Sequence, residues 1–186
     1  MVTSSHSRRR LGIGLAGALV VLTGIAAWNY VPSLRLAAAL LGIRAAFRNV
    51  KHISTAELSD WRADPGRAPP LLLDVREPSE FAVSHLAGAR NVPWGSDWQQ
   101  AFKDMDIPKT QAIVVYCSIG YRSSVLARKL EQAGFTQVMN LEGSIFKWAS
   151  EGRPLIRPGG EAAAVVHPYD AKWGRLLAPD LRAPLP

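Results

Sequence analysis

The chain has 186 residues, 48% of them hydrophobic, a formal net charge of +7 and a single cysteine. That length suits one domain plus an appendage, and one cysteine excludes an internal disulfide framework as well as a zinc site built on cysteines. The charge is segregated: residues 1–51 carry seven bases and no acid, while bases and acids balance in the remainder, so the basicity speaks of membranes or targeting and not of a nucleic-acid-binding face on the folded domain.

Arg8, Arg9 and Arg10 precede Leu11–Tyr30, an uncharged run of about the 20 residues that a helix needs to cross hydrocarbon, with Trp28 and Tyr30 where an interfacial belt would lie. Residues 1–32 are therefore expected to form an N-terminal apolar helix acting as a signal anchor. A cleaved signal peptide is the competing reading, with Gly24-Ile25-Ala26 as a small-residue cleavage site; an organelle transit peptide is a third, and Ser7-Arg8-Arg9-Arg10-Leu11 weakly resembles a twin-arginine export signal. The compact arginine cluster, set against the more dispersed Arg35, Arg44, Arg48 and Lys51, places the expected protein in the cell membrane as a single-pass chain with its domain on the outer, periplasmic face. Residues 33–51 read as an amphipathic basic helix: Leu36, Leu40, Ile43, Phe47 and Val50 recur at helical spacing beside Arg44, Arg48 and Lys51. Such a helix can lie on an anionic bilayer surface or pack on the domain, and both readings stand.

A domain is expected over residues 52–157. Ser54-Thr55-Ala56-Glu57 is a capping box that opens a helix containing Leu58 and Trp61. Leu71–Val75 and Ala112–Tyr116 are continuous apolar runs of strand length, as expected of strands buried on both faces. Short strands are predicted over Ala89–Val92 and Val138–Leu141. Helices are predicted over Pro78–Val83, Ser96–Lys103, Arg122–Gln132 and Ser144–Ser150. Strands alternating with helices in this way give an α/β fold with a largely parallel sheet.

In such folds ligands bind beyond the carboxyl ends of the strands. Cys117 sits there, directly after one buried run and before a helical pattern, in Val114-Val115-Tyr116-Cys117-Ser118-Ile119-Gly120-Tyr121-Arg122-Ser123-Ser124. Loop amides and a helix N-terminus aimed at the sulfur would favour the thiolate, and Arg122 adds a positive charge. The plain alternative is an inert buried cysteine.

The run Tyr116-Cys117-Ser118-Ile119-Gly120-Tyr121-Arg122-Ser123 resembles the C-x-x-G-x-R active-site loop of the rhodanese-like sulfurtransferases. Leu71 to Pro93, with Asp74-Val75-Arg76, the acidic-aromatic pair Glu80-Phe81, His85, Gly88-Ala89 and Asn91-Val92-Pro93, resembles the family's first signature, and Asn140 to Leu155 its closing segment. The resemblance implies a three-layer α/β/α domain in which Cys117 attacks the sulfane sulfur of thiosulfate or another donor, holds it as a persulfide and passes it to a thiol or cyanide. It implies Ser118, Ile119, Gly120, Tyr121 and Arg122 as the substrate-binding loop, with Asp74, Arg76, His85 and Ser123 in support, and neither metal nor organic cofactor. The expected partners are a small sulfur-donor anion, a thiol acceptor and, through the N-terminal segment, a membrane.

Asp74 and Arg76 read equally well as a structural ion pair, and His85 reads as an anchor for the following turn. Trp94, Trp98 and Trp148 are taken as core residues, and Tyr121 as a residue of the pocket mouth. Gly143-Ser144 stands where many relatives have Gly-Gly, a change that costs little unless the serine must take a positive φ. The rivals in function are a persulfide carrier without turnover and, through the related C-x5-R phosphatase loop, phosphate or arsenate chemistry, for which the arginine would be expected at position 123. Residues 158–186, rich in Pro and Gly, argue against a second domain; His167, Tyr169 and Trp173 suggest an arm that folds back or docks a partner.

Overall fold

The computed structural model describes residues 31–185. The apolar run Leu11–Tyr30, and with it the expected anchor or signal, lies outside the described residues. Among the described residues no helix is long and apolar enough to cross a membrane.

A five-stranded parallel sheet forms the centre, in the order β1-β5-β4-β2-β3, from β1 (His52–Ile53), β2 (Leu71–Asp74), β3 (Arg90–Asn91), β4 (Ile113–Tyr116) and β5 (Val138–Leu141). Every residue of β4 is buried, and because successive side chains of a strand point to opposite faces, both sides of the sheet are covered. Helix α1 spans residues 31–46 of the described chain. It is followed by α2 (Thr55–Ala63), α3 (Pro78–Val83), α4 (Trp98–Asp104), α5 (Tyr121–Gln132) and α6 (Ser144–Ser150).

Local chemistry sets the helix starts. The Ser54 hydroxyl accepts from the Glu57 amide while the Glu57 carboxylate accepts from the Ser54 amide, the reciprocal box expected from the sequence. Asp97 accepts from the amides of Gln99 and Gln100, so α4 starts later than the predicted Ser96. From β2 the chain moves outward to β3, then returns to β4 and continues to β5 on the other side. The reversal falls between β2 and β4, whose carboxyl ends are Asp74 and Tyr116, paired in register.

Two segments flanking residues 52–157, each left with two readings by the sequence, pack on the domain. On α1 and the turn that follows, Leu36, Ile43, Phe47 and Val50 are buried in the same core cluster as the sheet residues, and Arg44 pairs with Glu142. The helix therefore packs on the domain and does not spend its apolar stripe on a bilayer surface. The C-terminal segment also folds back: β6 (Leu155–Ile156) pairs antiparallel with β7 (Ala162–Ala163), Val166 bridges to Arg182, and the side chains of Val166 and Leu177 are wholly buried. Residues on both sides of 52–157 thus share the core cluster of the sheet.

Candidate active site

Cys117 follows β4 at the strand-order reversal and is 1% exposed. The Gly120 amide donates to its Sγ at 3.1 Å. Gly120 has φ +112, and a Cβ there would meet Asn140 Nδ2 at 3.2 Å, so the residue that aims this amide must be glycine. The Cys117 amide points elsewhere: it donates to Ser144 Oγ at 3.1 Å, and that hydroxyl donates to the Leu141 carbonyl at 3.1 Å. Ser144 takes φ +49, the condition under which replacing the second glycine does carry a cost. Its two hydrogen bonds offset that cost and tie the start of α6 to the cysteine loop.

Arg122, expected as a free charge for an anionic donor, is committed within the protein. Its guanidinium donates to both carboxylate oxygens of Glu80, Nη1 to Oε2 at 2.9 Å and Nη2 to Oε1 at 3.0 Å, and Nη2 also donates to Ser118 Oγ at 2.9 Å. The Ser118 hydroxyl in turn donates to Glu80 Oε1 at 3.1 Å. Burial alone would disfavour the Arg122 charge, but the hydrogen bonds to Glu80, with the neighbouring Cys117 and Glu80 side chains, outweigh it and hold the group above its ordinary range. For Glu80, burial pushes the carboxyl up and Arg122 more than reverses this, leaving it below the ordinary carboxylate range.

Glu80 is the site residue that sequence reasoning missed as a participant. It stood in the acidic-aromatic pair of the first signature, but nothing in its spacing shows a partner 42 residues away.

The supporting residues do not all converge on the cysteine. Asp74 and Arg76 form a fully buried pair, Nε to Oδ1 at 2.9 Å and Nη2 to Oδ2 at 2.6 Å, with Nη2 also donating to the Ser84 carbonyl. The pair fixes the end of β2 against the loop after α3, and neither residue lines the cavity above Cys117. His85 stacks on Phe81 at 3.8 Å, with Nδ1 3.1 Å from the Phe81 carbonyl, and its backbone pairs with Ile156. It anchors a turn and does not reach the sulfur. Ser123 is buried in the first turn of α5, its hydroxyl without a partner among the described residues. Trp148 is core, Trp98 is partly buried, and Trp94 is 43% exposed and not a core residue.

Above Cys117 opens a cavity of about 510 Å³ with overwhelmingly apolar walls. Ser118, Ile119, Tyr121 and Arg122 form its floor with the cysteine, Ala39, Gly42, Ile43 and Ala46 of α1 form one wall, and Tyr169 and Trp173 of the C-terminal segment form the other. Tyr121 is held edge-on to Phe47 with ring centroids 5.4 Å apart, and Arg122 lies 4.9 Å from the Tyr169 ring centroid. Among the described residues no cluster of His, Cys, Asp and Glu could hold a metal ion.

Residues 54–151 match the family described as Rhodanese-like domain. The chain belongs to that family. A sulfurtransferase of Allochromatium vinosum is 34% identical over 111 residues, covering 60% of this chain and 99% of that protein. A thiosulfate:glutathione sulfurtransferase of Saccharomyces cerevisiae is 28% identical over 123 residues, covering 60% of this chain and 88% of that protein. Among solved structures, thiosulfate sulfurtransferase from Pseudomonas aeruginosa superposes with a TM-score of 0.55 at 22% identity, covering 73% of this chain and 25% of the other, a likeness of fold. In this rhodanese-like domain the family match includes the cysteine loop and Glu80 but neither wall of the cavity, since α1 and the segment carrying Tyr169 and Trp173 lie outside residues 54–151.

Proposed function

We propose that the protein is a rhodanese-type sulfurtransferase that moves a sulfane sulfur from a donor to a thiol acceptor on Cys117. The observation that carries this reading is the Cys117 sulfur at the carboxyl end of β4, with the Gly120 amide directed at it, at the base of a cavity. With thiosulfate as donor, the Cys117 thiolate attacks the outer sulfur, the S–S bond breaks with its electron pair leaving on sulfite, and Cys117 is left as a persulfide anion. An acceptor thiolate then attacks the terminal sulfur, becomes the persulfide and returns Cys117 as thiolate. Both enzyme forms are anions, which a positioned amide and a helix start stabilise without a metal or organic cofactor. Phosphate chemistry fits less well, because the loop's arginine sits at position 122 and its guanidinium is occupied by Glu80.

The test is turnover with thiosulfate and a thiol or cyanide. A transferase releases product continuously, whereas a carrier without turnover loads once and stops.

The same proposal places the domain at a membrane through Leu11–Tyr30, on the outer face, supported by the apolar length of that run and the Arg8–Arg10 cluster. Carbonate extraction should leave the full-length protein in the membrane pellet, and protease added to spheroplasts should digest the domain. A soluble product beginning near Ala27 would replace the anchor by a cleaved signal, and protection from protease would reverse the orientation.

A further inference from the structure

The cavity walls say more about the donor than the cysteine loop does. Cys117 is 1% exposed, so a donor must enter the cavity to reach the sulfur. At about 510 Å³ the space lies within the roughly 300–1,000 Å³ typical of pockets for small organic molecules. Among the described residues the one charged group lining it is Arg122, already paired with Glu80 through two hydrogen bonds. A small dianion such as thiosulfate would exchange its hydration for walls of alanine, isoleucine, tyrosine and tryptophan, a transfer that is unfavourable without a free counter-charge. An apolar body entering the same space gains by burial, about 0.8 kcal/mol for each methylene.

The room is kept by small residues: Gly42 and Ala46 face the cavity, and a Cβ on Gly42 would meet nothing within 4 Å. A helix-interior glycine is unfavourable relative to alanine, so the position retains space at the expense of helix stability. Across from α1, Tyr169 is held at φ +68, a costly backbone state for a non-glycine residue, with its ring beside Arg122.

We infer that the donor is an organic sulfane-sulfur compound with an apolar body, which the cavity between α1 and the Tyr169–Trp173 segment receives while its terminal sulfur meets Cys117. This rests on the sulfur-transfer reading above. The reaction is the same displacement. The thiolate attacks the terminal sulfur, the S–S bond breaks, the organic sulfinate or thiolate leaves with the electron pair, and the cysteine persulfide remains. No external oxidant or reductant is consumed.

The alkanethiosulfonates R–SO2–S⁻ test it, since they keep one reacting group and vary only the apolar body. The full chain in phosphatidylcholine vesicles is treated with methane-, butane- and octanethiosulfonate and with thiosulfate, and the rate at which Cys117 gains one sulfur is followed by mass spectrometry. From methane to butane the second-order loading constant should rise about three- to fourfold per methylene, with octane faster still. In Gly42→Trp, which fills the cavity from α1, and in Trp173→Ala, which removes part of the opposite wall, the dependence on chain length should flatten, each variant being compared only with itself. Loading that is independent of chain length in the wild type overturns the inference, even where alkanethiol acceptors show such a dependence. An equal slope in both variants also overturns it, because it assigns the preference to partitioning into the lipid. If no donor places sulfur on Cys117, the sulfur-transfer reading falls and takes this inference with it.

Discussion

Glu80 and Arg122 face each other as a doubly hydrogen-bonded pair, with the carboxylate side chain 2% and the guanidinium side chain 13% exposed. The cation nearest the cysteine is thereby neutralised and fixed at once, and the Ser118 hydroxyl joins both partners to the loop. Breaking a buried pair by removing one partner costs about 3–5 kcal/mol, most of it from the charge left behind. Glu80→Gln should lower the unfolding midpoint in urea, and it should raise kcat/KM for the dianion thiosulfate relative to the monoanion methanethiosulfonate, because the guanidinium is released toward the cavity. An unchanged midpoint would contradict the energetic role, and an unchanged ratio the electrostatic one.

The reverse truncation has a different outcome. Read from the sequence alone, Arg122→Ala should weaken donor use more than release of a loaded persulfide. In the structure it strands Glu80 beside the loop, so both half-reactions should fall together, measured as single-turnover loading and unloading rates. Selective loss of loading would restore Arg122 as a free receptor for the anion.

Much of the fold was legible because it is written locally. The apolar runs at Leu71–Asp74 and Ile113–Tyr116 have no polar face to hide, and the capping pair Ser54 and Glu57 marks a helix start whatever surrounds it. Strands of two residues such as His52–Ile53 and Leu155–Ile156 are too short for any period to register. The cysteine loop was visible for the same local reason, as a polar break after a buried strand. Its surroundings were not. The Glu80–Arg122 pair, the wall from α1 and the contact of Tyr169 with Arg122 are made between distant parts of the chain, and periodicity tells which face of a helix is apolar but not what it covers.

Ser144 offers a separable test of strain against hydrogen bonding. Ser144→Ala keeps the residue at φ +49 and leaves the buried Cys117 amide without an acceptor, at about 1–3 kcal/mol. Ser144→Gly loses the same bond but relieves about 1–2 kcal/mol of backbone strain. Urea unfolding should therefore rank wild type and glycine above alanine. Alanine equal to or above glycine would show that the positive φ carries no cost.

The C-terminal segment should contribute to stability although it lies outside residues 54–151. Leu177 is wholly buried, and Leu177→Ala should cost about 2–5 kcal/mol in equilibrium unfolding. No change would mean that the segment docks without being part of the cooperative unit.

Acid should destabilise the domain in two stages. His52 and His167 are held below the ordinary imidazole value of 6.5, chiefly by burial, with Arg44 acting in the same direction on His52 and Arg76 on His167. Burial raises Glu80 and Glu151, but their hydrogen bonds and neighbouring arginines more than reverse it, and both lie below the ordinary 4.5. In each case the unfolded chain takes up the proton first. Stability is complete above the unfolded value and is lost as pH falls through the folded one. The urea midpoint should thus decline below about pH 6.5 and more steeply below about pH 4.5. A midpoint that rises between pH 7 and pH 5 would contradict the assignment.

One sulfur atom travels on Cys117 in the proposed reaction. Peptide mass spectrometry of the full chain after exposure to a sulfane-sulfur donor, and again after addition of a thiol, tests it most directly. The expected result is one added sulfur on the peptide containing Cys117, its removal by the thiol with the persulfide appearing on the acceptor, and no transfer by a folded Cys117→Ser protein. Continued sulfur transfer by Cys117→Ser, or a Cys117 peptide that stays unmodified while product accumulates, would contradict it.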